Sequence, residues 1–208
     1  METMNTRFLN ALSRFFFLLS ALCAPQVFAA ISPVGVSIFP PVQFPSEEVG
    51  VTGVRLNALW GSHRRVYGLD VSAIGGTTSL HFGGLLQAAG GLNYNKGSAT
   101  VIGLQAAGGA NINGTSAKIF GAQVAAYNNN RGESMLVGLG VGLLANVSPH
   151  TTVIGVQAAG LYNSARTVNG IQIGLVNVAD KLRGLQIGLI NIHKQGLFRI
   201  CPIINFGF

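Results

Sequence analysis

The stretch "GIQIGLVNVADKLRGLQIGLIN" (Gly170 to Asn191) writes one phrase twice, fourteen residues apart: Gly-aliphatic-Gln-aliphatic-Gly-aliphatic-aliphatic-Asn. Within each phrase the period is two. Ile171, Ile173 and Leu175 alternate with Gln172 and Gly174, and Leu185, Ile187 and Leu189 alternate with Gln186 and Gly188. Residues two apart share one face of a strand. A helix would want apolar residues at i, i+3, i+4 and i+7, and each glycine inside it would cost about 1 kcal/mol against alanine. The phrase is a strand with one aliphatic face and one face of Gln, Gly and Asn.

Aligned on its Gln, the phrase recurs along the chain at Arg55, Asp70, Gln87, Gln105, Gln123, Gly140, Gln157, Gln172 and Gln186, with a tenth member expected at Cys201. Such self-similarity marks a repeated structural unit. Between the units lie turn formers such as "GSHRR", "NYNKGS", "NNNRGES" and "NVSPHT". Between Ser46 and Cys201 the only proline is Pro149, in one of these turns, as strands require of a residue that cannot donate to a ladder. The pattern predicts about ten strands of about ten residues each over 51–208. Ahead of them, 30–50 is Pro-rich and predicted to be irregular.

Composition bounds what such a chain meets. Charged residues are 9% of its 208 and glycines number 29, against roughly 25% charged in an ordinary globular domain. Residues 1–29 read as a signal peptide: Arg7 and Arg14 precede the apolar "FFFLLSALCA", and Val27-Phe28-Ala29 offers small residues for cleavage. That apolar stretch is shorter than the roughly 20 residues a membrane-spanning helix needs. After export only Cys201 remains, so no internal disulfide can form; Cys201 is expected to be buried and inert. Eleven Lys/Arg face five Asp/Glu after position 30. They are scattered singly rather than clustered with aromatics as in nucleic-acid binders, so an anionic membrane surface is the expected partner and nucleic acid is not.

Two architectures accept the pattern. The strands could pair antiparallel and close into a small transmembrane β-barrel of about ten strands. Aliphatics would then meet lipid, and Arg55, Asp70, Gln87, Gln105, Gln123, Gln157, Gln172 and Gln186 would line the lumen. Alternatively each unit is one coil of a β-solenoid, with aliphatics inward and Gln outward; the identical orientation of every motif favours this. Three features point to the barrel. The ending Ile204, Phe206, Phe208 has the form of a C-terminal barrel-assembly signal. Trp60, Tyr127 and Tyr162 fall near strand ends, and Tyr67 near a strand start, as in interfacial belts. Finally, Arg64, Arg65, Lys96, Arg131, Arg166 and Lys194 occupy alternate turns, where they could pair with lipopolysaccharide phosphates.

The segments "FPPVQFPSEEVGVTGVRLNALWG", "VYGLDVSAIGG", "GIQIGLVNVA", "GLQIGLINI" and "PIINFGF" together resemble a group of exported Gram-negative surface-repeat proteins with GLQIGLxN-type repeats. The resemblance implies a cell-envelope location and brings no activity.

Chemistry is sparse. His63, His150 and His193 fall in predicted turns, where a solvated imidazole is expected. Ser79 and His81, with Asp70 on the neighbouring strand, are the one set that could approach a nucleophile, base and orienter; three polar residues on adjacent strands are more simply structural. No paired carboxylates, metal-ligand spacing or phosphate loop is present, so neither catalysis nor a cofactor or metal is expected. Arg55 and Asp70, equivalent on neighbouring strands, could form an interior ion pair. The expected function is therefore an outer-membrane barrel of structural or surface-presenting role, or a narrow pore, delivered by the barrel assembly machinery; the alternative is an exported β-solenoid binding or adhesion module.

Overall fold

A computed structural model describes residues 30–208; the expected signal peptide, 1–29, lies outside the described residues. Twelve strands follow in order: β1 Ile31–Phe39, β2 Val42–Phe44, β3 Gly50–Asn57, β4 Trp60–Ser72, β5 Gly76–Ala89, β6 Leu92–Ala107, β7 Ala110–Asn113, β8 Ser116–Asn130, β9 Ser134–Ala159, β10 Tyr162–Ile173, β11 Val176–His193 and β12 Ile200–Gly207. From β3 to β11 every pairing is parallel. The chain is a parallel β-solenoid of about nine turns.

This corrects the expected transmembrane barrel. A barrel closes by pairing its first strand with its last, and its strands reverse at each turn; here β12 and β2 are the two ends of an open sheet. The repeat members stack on themselves in register: Gln87 pairs with Gln105, Gln105 with Gln123, and Gln172 with both Gln157 and Gln186. Parallel stacking keeps every motif in one orientation, which an antiparallel meander cannot do. With the barrel go its lumen and its pore. The ends differ from expectation too. Residues 31–44 are not irregular: β1 joins the stack parallel to β3, and β2 folds back antiparallel over it. At the other end β12 turns back antiparallel on β11, so Gln186 meets Asn205, while Cys201 lies opposite Asn191 outside the Gln column. Both ends are thus closed by hairpins that finish the stack.

The expected solenoid had its faces reversed. The glutamines are inside: Gln87, Gln105, Gln123, Gln157, Gln172 and Gln186 are buried, whereas Ile173, Leu175, Ile187 and Leu189 are exposed. Parallel in-register stacking explains how a polar interior is tolerated. Identical amides repeat at the strand spacing of about 4.8 Å, so each can donate to the amide one coil away. Gln105 Nε2 donates to Gln87 Oε1 at 2.8 Å, Gln123 Nε2 to Gln105 Oε1 at 2.8 Å, and Gln186 Nε2 to Gln172 Oε1 at 2.8 Å. A second ladder runs through Asn93, Asn111, Asn128, Asn146, Asn163, Asn177 and Asn191, each Nδ2 donating to the next Oδ1 at 2.8–2.9 Å. Buried amides satisfied this way avoid the 1–3 kcal/mol that an unpaired polar group costs. A third, shorter ladder joins Asn95 to Asn113 at 2.8 Å and Asn113 to Asn130 at 2.7 Å, and beside the amides lies an apolar cluster that includes Val66, Phe82, Val101, Ile119, Leu136, Val153, Val168 and Leu182. The Gln column breaks once, at Gly140, where Leu136 Cδ2 lies 2.8 Å from the position a Cβ would take.

Six successive coils carry a positive-φ glycine at one position of the repeat. Gly103, Gly121, Gly138, Gly155, Gly170 and Gly184 stack with φ between 125° and 144°, a region closed to side chains.

Candidate functional site

With amides turned inward, the outer surface takes the aliphatics. Around one coil the chain runs from the repeat glycine along a first side, over a ridge, along a second side, round a basic edge, and back along a third side.

The first side presents two outward columns. One is Val54, Leu69, Leu86, Leu104, Ala122, Leu139, Val156, Ile171 and Leu185; the other is Leu56, Val71, Ala88, Ala106, Val124, Val141, Ala158, Ile173 and Ile187. Phe206 and Ile204 of β12 extend them across Leu185 and Ile187. No position in either column is polar. Towards its two ends the ridge continues this surface with Leu59 and Ile74, and with Leu143, Leu144, Leu161, Leu175, Leu189 and Ile190, all exposed, Ile74 and Leu143 by 70% and 73%; between them the ridge is Gly90-Gly91 and Gly108-Gly109. Backbone hydrogen bonds from Leu161 to Leu144 and from Ile190 to Leu175 keep it aligned from coil to coil. Beyond the ridge, Trp60, Tyr127 and Tyr162 share one outward column of the second side, with Tyr94 in the column beside it. Two sides and a ridge therefore carry no charge.

The charges lie elsewhere. Arg64 and Arg65, Lys96, Arg131, Arg166 and Lys194 occupy the basic edge at every second coil, so their spacing along the axis is about 10 Å. Successive turns do not emerge on opposite sides of a membrane: every coil rounds this same edge once, and every second coil carries a basic residue there. Lys118, Lys181 and Arg183 stand exposed on the third side. Three of the basic groups are paired: Arg64 with Glu48 at 2.8 Å, Arg166 with Glu133 at 2.6 Å and Lys194 with Asp180 at 2.7 Å. Among the described residues Arg65, Lys96, Lys118, Arg131, Lys181, Arg183 and Arg199 have no carboxylate partner.

The residues considered for catalysis are not assembled. Ser79 Oγ donates to Asn95 Oδ1 at 2.6 Å, His81 Nδ1 lies 2.9 Å from Ser98 Oγ, and Asp70 belongs to Arg55. Arg55 Nε donates to Asp70 Oδ1 at 2.8 Å and Nη2 to Oδ2 at 2.6 Å, with both side chains fully buried. Thr77 and Gln87 also donate to Asp70 Oδ2, and Asn57 to Oδ1. Among the described residues no group of three His, Cys, Asp or Glu could hold a metal. Cys201 is half-buried rather than buried.

Two histidines expected in solvated turns are buried. His63 Nε2 lies 3.1 Å from Pro45 O beneath the amino-terminal hairpin, and Leu182 N–H donates to His193 Nε2 at 3.1 Å beneath the carboxy-terminal one. Burial, then the neighbouring charge of Arg55, lowers the pKa of His63; burial lowers that of His193. A depressed folded pKa means that the unfolded chain takes up protons first as pH falls. The resulting stability is fully present above the unfolded value of 6.5 and is lost as pH drops through the lower folded values. Thermal melts across this range are expected to show a falling Tm, with a flatter profile in His63→Gln/His193→Gln.

No family model, curated protein or solved structure matches the chain.

Proposed function

We propose that the protein is an exported, non-catalytic β-solenoid that serves as a binding module of the bacterial cell envelope, docking through its charge-free side and ridge. One observation carries this: an apolar surface two columns wide runs the length of the stack without a polar interruption. Monomeric soluble proteins rarely expose contiguous apolar patches beyond a few hundred Å², and larger ones mark interaction sites. Here nine coils at about 4.8 Å and a side about four residues wide give on the order of 500 Å² before the ridge is added. The signal-peptide pattern of the first 29 residues supports export.

The test is fractionation of cells expressing the chain and its triple variant Leu143→Glu/Leu161→Glu/Leu175→Glu. These side chains are exposed, so the fold should survive, as circular dichroism will check. Wild type is expected to sediment with the envelope and the variant to be released into the soluble fraction. Envelope retention unchanged in a folded variant would refute docking through this ridge.

A further inference from the structure

The docking reading leaves the partner open, and resting on that reading we infer that it is an anionic phospholipid bilayer, with the solenoid lying along the membrane and its ridge embedded. The order of side chains around the coil is the order of depth in a bilayer interface. The ridge of Leu59, Ile74, Leu143, Leu161, Leu175 and Leu189 comes first. Next on the second side comes the column of Trp60, Tyr127 and Tyr162, rings with polar tips of the kind that sit at headgroup level. Arg65, Lys96 and Arg131 follow at the edge. From ridge to edge is about four residues, or about 13 Å of strand. An interfacial element buries its apolar face about 5–10 Å, so an embedded ridge brings the basic edge to the phosphates.

A second copy of the chain fits less well. Two first sides face to face would bury about 1,000 Å² in total, at the lower limit for a stable interface. That arrangement would leave the convex ridge and the aromatic column uncovered, whereas a fluid bilayer covers all three surfaces at once. The charges agree. Setting aside the buried Arg55–Asp70 pair, ten basic residues face four acidic ones after position 30. The unpaired edge cations Arg65, Lys96 and Arg131 stand singly at every second coil, an arrangement that suits separate monoanionic headgroups rather than one clustered polyphosphate.

Trp60 is the only tryptophan and reports directly on this geometry. The purified exported chain is to be mixed with vesicles of phosphatidylcholine alone, of phosphatidylcholine with phosphatidylglycerol, and of phosphatidylcholine with lipopolysaccharide. Flotation with the phosphatidylglycerol vesicles is expected, with a blue shift of Trp60 emission and quenching by lipids brominated near the headgroup. Arg65→Gln/Lys96→Gln/Arg131→Gln should weaken this binding on the order of a hundredfold, from about fivefold per basic residue. Absence of flotation, binding unchanged by the triple substitution, or preference for the lipopolysaccharide vesicles would overturn the inference. So would a concentration-dependent dimer that shields Trp60 without vesicle binding. If vesicles fail but cellular envelope retention still depends on the ridge, the docking module stands and only its lipid partner is wrong.

Discussion

Asp70→Leu is expected to destabilise the amino-terminal coils by about 3–5 kcal/mol, because it leaves the guanidinium of Arg55 buried without its counter-ion. Arg55 is wholly enclosed, and Asp70 takes both of its bidentate hydrogen bonds. What remains to Arg55 is neutral: Thr77 Oγ1, Thr78 O at 3.2 Å and the ring of His63 at 3.4 Å. None offsets a full charge in the interior. The double variant Arg55→Leu/Asp70→Leu should recover a large part of the loss, since exchanging a buried pair for apolar residues is often neutral. Urea melts of the two variants, with hydrogen exchange resolved over β3 to β5, check both statements. A single variant as stable as wild type would mean that water reaches Arg55.

Gly121→Ala is the second large effect. At φ 133° backbone strain alone costs about 1–3 kcal/mol for any residue with a Cβ. The added methyl would also overlap the carbonyl oxygen of Gly103 in the preceding coil, where nothing flexible can yield. Gly140→Ala is the control. Its φ is not positive, and the nearest atom is the movable end of the Leu136 side chain. We expect Gly121→Ala to lower Tm sharply, with loss of amide protection spreading to β6 and β9, while Gly140→Ala stays close to wild type. Equal effects at the two positions would show that the positive φ is not what the glycine column provides.

Much of the architecture is legible in the sequence. The strand period over Gly170–Asn191, the repeat spacing, and the division of each strand into an aliphatic and an amide face all follow from alternation of side chains along an extended backbone. Two features of the sequence favour parallel stacking, the unchanged orientation of every motif and the lack of a strong long-short alternation in linker length; the features that favour a barrel each have two explanations. Ile204, Phe206 and Phe208 have the form of a barrel-assembly signal, yet Ile204 and Phe206 extend the apolar columns past β11. Trp60, Tyr127 and Tyr162 were expected in an interfacial belt at strand ends; they form one column because residues at the same phase of the repeat stack. The burial of His63 and His193 was not legible, because each is enclosed by a terminal hairpin whose return path no local pattern announces.

By itself the sequence determined that the chain repeats, that its units are strands, and that each strand has two chemically distinct faces; these are properties of residues a few positions apart. Which face turns inward, and whether neighbours run parallel, was decided only by the tertiary structure. An amide column is stable inside only when each Gln or Asn finds its like one coil away, and that partner lies 14 to 18 residues off along the chain. Once those ladders closed, the leucines and isoleucines that alternate with the amides had no interior left to fill, and the outer surface took them.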